Sequence, residues 1–151
     1  NDRIQLEGKP TEKANFTIMK NLVELLEGYR KTRKGKVITP LALVLTKLDV
    51  LMKCPDNDDE RSVLVNPSSS LYMTRTPGVF DKVMCEQIDV ELREYLRRNA
   101  GSDLMEHMDR FQESCCFAVS ALGTNPDGET LRRPATPFRV EDPIIWIMER
   151  D

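Results

Sequence analysis

The apolar positions of this chain change their period several times along its length. Phe16, Ile18, Met19, Leu22, Val23, Leu25 and Leu26 recur at helical spacing and make a wide apolar face. A helix is therefore expected from about Thr11 to Lys31 or Arg33, stopping before Gly35. Lys36 to Leu45 reads as a strand. Its apolar part begins after Pro40, because proline brings no amide to a strand ladder. Leu41-Ala42-Leu43-Val44-Leu45 is continuous rather than alternating, the pattern of a strand buried on both faces, as in a parallel sheet. Val50-Leu51-Met52 suits a short helical turn. A second helix is expected over Asp81–Asn99, with Val83, Ile88, Val90, Leu92 and Leu96 on its buried side. Ser102 suits the cap of a short third helix, Asp103–Arg110. Cys115 to Ser120 repeats the apolar strand pattern. Pro143 then opens a last helix, whose Ile144-Ile145-Trp146-Ile147-Met148 is apolar nearly all round and should pack deeply, with Trp146 as a core anchor.

The segments between these elements are polar. Cys54-Pro55 leads into the acidic run Asp56-Asn57-Asp58-Asp59-Glu60. The run lacks the central glycine and closing glutamate of a calcium-binding EF-hand loop, so it reads as a solvated loop. Residues 61–79 continue irregularly, with turn signals at Pro67-Ser68-Ser69-Ser70 and Thr76-Pro77-Gly78. Residues 54–79 thus read as one long inserted loop, of the kind that is usually functional or mobile. Gly123 to Pro137 is a second polar loop. Strands and helices in this order predict an α/β fold with helices packed on a sheet.

Composition narrows the function classes. A length of 151 residues suits a single domain with a real core. A net charge of −3 with interspersed signs argues against a dedicated nucleic-acid or membrane surface. No apolar run approaches transmembrane length, and there is no signal-peptide core; a cytoplasmic setting is expected. The four cysteines, Cys54, Cys85, Cys115 and Cys116, form no CxxC pair, and there is one histidine. No metal site is expected from them, and they read as free thiols. His107 has no nucleophile motif beside it and reads as a surface residue. Arg30-Lys31-Arg33-Lys34-Lys36 could bind phosphate, but cations gathered at a helix C-terminus explain it as well.

The chemistry concentrates where the two apolar strands end. Thr46-Lys47-Leu48-Asp49 follows the first strand, and open α/β sheets bind ligands at that end. A carboxylate at Asp49 can accept two hydrogen bonds side by side. Guanine offers that pair of donors, a ring N–H beside an exocyclic amine, and adenine does not. Lys47 can lay its methylene stem on a flat base while its ammonium stays in solvent. The Thr46 hydroxyl can tie to neighbouring backbone and hold the turn. After the second strand, Ser120-Ala121-Leu122 can aim a backbone N–H at the guanine carbonyl, its small residues allowing close approach. Such a site discriminates well, because a wrong base leaves buried polar groups unpaired.

These two stretches resemble the guanine-specificity half of the P-loop GTPase fold. Thr46-Lys47-Leu48-Asp49 matches the threonine variant of the Asn/Thr-Lys-x-Asp motif, and Ser120-Ala121-Leu122 matches the Ser-Ala-x motif. The resemblance spans Lys36 to about Asp151. Arg139-Val140-Glu141-Asp142-Pro143-Ile144-Ile145-Trp146 is more distantly similar to the last helix of bacterial double-GTPase domains. What the resemblance implies is the C-terminal half of a doubly wound, Ras-like sheet, with Thr46, Lys47, Asp49, Ser120, Ala121 and Leu122 as guanine-binding residues and GTP or GDP as ligand. The departures are as plain. The chain contains no GxxxxGK[ST] and no Asp-x-x-Gly, so nothing in it cradles phosphates or holds Mg2+. Hydrolysis needs both. No residue of this chain is expected to be catalytic. The expectation is a fragment lacking an N-terminal P-loop half, beginning as it does with Asn1, or a chain that pairs with another, since half a sheet leaves an edge and apolar faces open. The alternatives are a degenerate GTPase-like module serving protein interaction or assembly, with Asp49 a mere turn carboxylate, and an unrelated α/β domain matched by chance.

Overall fold

The computed structural model describes residues 10–29, 32–53, 62–74, 76, 79–123 and 134–150; the side chains of 10–16 are not among them. Among the described residues the fold is mixed α/β, with five helices and two small sheets. In chain order these are α1 (Pro10–Gly28), β1 (Thr32–Arg33), β2 (Lys36–Val37), β3 (Leu41–Leu45), α2 (Leu48–Leu51), α3 (Lys82–Asn99), α4 (Ser102–Met108), β4 (Ser114–Ala118) and α5 (Asp142–Met148), with a 3-10 turn over Ser70–Tyr72. None of these helices is long and apolar enough to cross a membrane.

The centre is a parallel pair. β3 and β4 run in register from Leu41 opposite Ser114 to Leu45 opposite Ala118. The ladder is extended by Leu41 N–H to Glu113 O at 3.0 Å and Val119 N–H to Leu45 O at 2.8 Å. Odd-numbered residues of β4 therefore face β3, and even-numbered ones turn their backbone groups to the opposite edge. Side chains of α3 occupy that edge. Asp89 Oδ1 accepts from the Cys116 amide at 2.7 Å. Arg93 donates to Ser114 O and to Ser114 Oγ, each at 2.9 Å. Asp89 and Arg93 are joined at 3.0 and 2.8 Å. An ion pair thus stands where a further strand would hydrogen-bond, and it blunts the edge.

Several expectations change here. β3 is half-buried with Val44 exposed, rather than buried on both faces. Its only strand neighbour among the described residues is β4, whereas β4 itself is buried from Cys115 onward. The helix α1 ends at Gly28, short of the expected Lys31 or Arg33, and its last turn holds no basic residue. Lys34 and Gly35, both at positive φ, instead make the two-residue turn of a β1–β2 hairpin; Arg30, Lys31 and Phe16's side chain lie outside the described residues. The long strand from Lys36 is broken before Pro40, and Val37 pairs with Phe111 as an isolated bridge. On α3, Ile88, Leu92 and Leu96 are buried, one above another at spacing of four, while Val83 and Val90 point away and are exposed. On α5, Trp146 is 3% exposed, yet Ile144, Ile147 and Met148 face outward.

The inserted loop is part of the core where it is described. Leu64 and Leu71 are fully buried. Glu91 of α3 holds the 3-10 turn, accepting from Ser69 Oγ and from the Ser70 amide. Tyr72 donates its hydroxyl to Leu64 O, and burial raises its pKa. From the far side Arg139 reaches Leu71 O at 2.7 Å, Met73 O at 3.1 Å and the Asp142 carboxylate at 3.0 Å. The acidic stretch 54–60 lies outside the described residues.

Arg139 is buried, sits at φ 52, and ties the inserted segment to α5. Truncating one partner of a buried pair leaves the other desolvated and uncompensated. Arg139→Met is expected to lower the urea-unfolding free energy by about 3 kcal/mol; a loss below about 1 kcal/mol would show that the pair carries no such weight.

Candidate functional site

The two strand ends meet. Leu48 N–H donates to Val119 O at 3.1 Å, which pins the start of α2 against the residue after β4. At the next residue, Asp49 accepts a hydrogen bond from the Ser120 hydroxyl. The same hydroxyl oxygen accepts from Gly123 N–H at 2.9 Å. Two stretches far apart in sequence are therefore bonded side chain to side chain at the carboxyl ends of the parallel pair. A carboxylate has about four acceptor positions on its two oxygens, so the Ser120 bond leaves Asp49 able to accept two more.

Lys47 precedes α2 in the left-handed conformation, φ 56 and ψ 43. A non-glycine residue there costs on the order of 1–2 kcal/mol. The conformation places its carbonyl to accept from Val50 N–H at 2.9 Å and Leu51 N–H at 3.1 Å, and its side chain is exposed. Thr46 is exposed too, and its hydroxyl has no partner among the described residues. The expected tie from Thr46 to the backbone is not made; Leu48 N–H to Val119 O holds the turn instead.

The Ser120 backbone is occupied by a bridge. Its amide donates to Phe138 O at 3.1 Å, and its carbonyl accepts from Phe138 N–H at 2.7 Å. This antiparallel bridge commits the Ser120 backbone, so the amide free to meet a ligand is that of Ala121, which is exposed and has no partner among the described residues. Leu122 is half-buried, and its carbonyl accepts from Thr136 N–H at 2.9 Å. Gly123 closes this turn at φ +67, with the Thr136 carbonyl oxygen only 2.1 Å from where a Cβ would sit.

The other candidates fall elsewhere. A small cavity of about 20 Å³ lies between α3, β4 and α5, and a cleft of about 490 Å³ runs beside β4 past Lys82, Arg93 and Arg150. None of the six expected residues lines either one. His107 has its Nδ1 2.8 Å from the Asp103 carbonyl of its own helix. No cluster of three or more metal-ligating side chains occurs among the described residues. Trp146 is a core residue, edge-on to Phe117 at 5.8 Å with the Arg150 guanidinium 3.7 Å over its ring. The Asp89–Arg93 pair was not singled out by sequence reasoning, and Arg139 entered it only as the first residue of the stretch leading into the last helix, with no structural role assigned. Comparison with protein-family models, curated proteins and solved structures finds no match to the chain.

Two substitutions separate the parts of this arrangement. Ser120→Ala removes the hydroxyl shared by Asp49 and Gly123 and is expected to cost about 1–2 kcal/mol of stability. Gly123→Ala meets both a backbone clash and an unfavourable φ, and should cost more than Ser120→Ala in the same urea titration. The reverse order would place the strain of the turn elsewhere.

Proposed function

We propose that this chain carries the base-recognition half of a guanine-nucleotide-binding, GTPase-like domain. Asp49 accepts from the guanine ring N–H and amine, Lys47 covers the base plane, the Ala121 amide donates to the base carbonyl, and Ser120 holds the Asp49 carboxylate in place. The observation that carries the reading is the Ser120–Asp49 hydrogen bond, which joins the two motifs at the ligand-binding end of a parallel pair. Thr46 and Leu122 frame the two turns.

Phosphate binding, Mg2+ and hydrolysis are assigned to none of these residues. The donor set for them is missing from the sequence, and no described cluster fits a metal. They belong to an upstream P-loop half, whose strands the open edge of β3 would suit. On that edge β3 meets no other strand among the described residues. GTP turnover therefore needs that half, and GDP or GTP is the ligand of the completed domain.

A second reading, a protein-interaction module that has kept the fold alone, draws support from the outward apolar residues Ile144, Ile147 and Met148 of α5. Calorimetric titration with GDP, and with ADP as control, on a polypeptide that includes upstream sequence separates the two. Base recognition predicts GDP binding over ADP, lost by at least about 100-fold in Asp49→Ala, since a buried polar edge is then unpaired. Unchanged GDP affinity in Asp49→Ala would sink the base-recognition reading and leave the interaction module.

A further inference from the structure

Cys85 and Cys115 are distant in sequence and adjacent in space, their Sγ atoms 3.5 Å apart. A disulfide needs about 2.05 Å, so side-chain rotation and a small shift would close the gap. The pair borders the 490 Å³ cleft beside β4, with Lys82, Arg93, Trp146 and Arg150 around it. Cys115 is buried, while Cys85 is only half-buried, and so is the sulfur a small oxidant reaches first. We propose that Cys85 and Cys115 form a site of reversible oxidative modification, in which a hydroperoxide converts the two thiols to a disulfide linking α3 to β4.

The environment gives the two sulfurs different tasks. The hydrogen bond from Cys115 lowers the pKa of Cys85; burial and the charges of Asp89 and Asp142 oppose it, and Arg150 adds to it. Cys85 also lies in the first turn of α3, behind the Asp81 cap, where a helix N-terminus favours a thiolate. Cys115 is raised, first by its hydrogen bond to Cys85, then by burial and by the charge on Cys85. Oxidation of Cys85 removes both of the Cys85 contributions. Cys116 faces away from the pair. Strand alternation turns its thiol to Met108 Sδ, 3.9 Å off, and burial pushes its pKa up to about 12.

The step balances with the peroxide as two-electron oxidant. The Cys85 thiolate attacks the terminal peroxide oxygen, the O–O bond breaks, and hydroxide (alkoxide, from an organic hydroperoxide) leaves and takes up a proton. Cys85 is then a sulfenic acid. Cys115 sulfur attacks Cys85 Sγ and loses its proton, the S–O bond breaks, and water leaves. The protein loses two hydrogen atoms and gains one S–S bond.

Hydrogen peroxide titration of the intact chain, followed by alkylation of remaining thiols and peptide mass mapping, tests this. The expected product is a Cys85–Cys115 linked peptide, reversed by dithiothreitol, with Cys116 still alkylated and Cys85 consumed at least about ten-fold faster than Cys116. In Cys115→Ser the sulfenic acid at Cys85 should persist long enough to be trapped by dimedone; in Cys85→Ser, Cys115 should stay reduced at the same dose. Cys85 and Cys115 recovered as separate alkylated thiols after Cys116 or Cys54 has been oxidised would overturn the proposal, as would a dominant link from Cys85 to Cys54 or Cys116.

Discussion

The parallel pairing of β3 with β4 is the constraint on which the rest of the structure depends. Parallel neighbours cannot be joined by a hairpin; the chain between them must cross over one face of the sheet. Here that crossover holds α2, the buried turn around Leu71, α3 and α4. It supplies the stripe Ile88, Leu92 and Leu96, which packs in one core with Leu64, Leu71 and Cys116. It also supplies Asp89 and Arg93, which occupy the backbone groups that β4 turns away from β3. One edge of the pair is thereby closed with polar side chains, and the two strand ends are brought level.

That level ending gives the proposed site its geometry. The same ladder that continues from Leu45 to Val119 places Leu48 and Asp49 against Val119 and Ser120. The carboxylate is oriented by a hydroxyl from the neighbouring strand end, not by its own loop. A base-reading carboxylate gains from being held, because an oriented acceptor need not be ordered again when ligand arrives. The Phe138 bridge completes the frame and explains why Ala121, rather than Ser120, offers the open amide.

Much of this was legible in the sequence where local pattern and tertiary setting agree. The continuous run Cys115–Ser120, the helix after Asp81 and the short helix expected over Asp103–Arg110 all appear within a residue or two of expectation, though Gly101 rather than Ser102 stands at the cap of the last. So does the meeting of the two motifs, because each directly follows an apolar strand. What was not legible depends on partners distant in sequence. The run Leu41–Leu45 looks doubly buried, but exposure is set by how many neighbours a strand has, which its own residues do not state. The five apolar residues at Ile144–Met148 look like a buried helix, yet a seven-residue helix presses one face on Phe117 and leaves the other open. Arg139 and Glu91 serve loop carbonyls and amides that no motif marks. Cys85 and Cys115 are separated by 30 residues, so spacing rules for cysteines pass over them.

Amide hydrogen exchange followed by NMR tests the pairing most directly. Leu48 and Val119 donate across the strand ends, and Ser120 and Phe138 exchange both their hydrogen bonds. Their amides are expected to be protected together, to within about ten-fold of the slowest amides of α3, as one cooperative unit. Rapid exchange of Leu48 and Val119 while α3 remains protected would contradict the account, since the two strand ends would then not be joined.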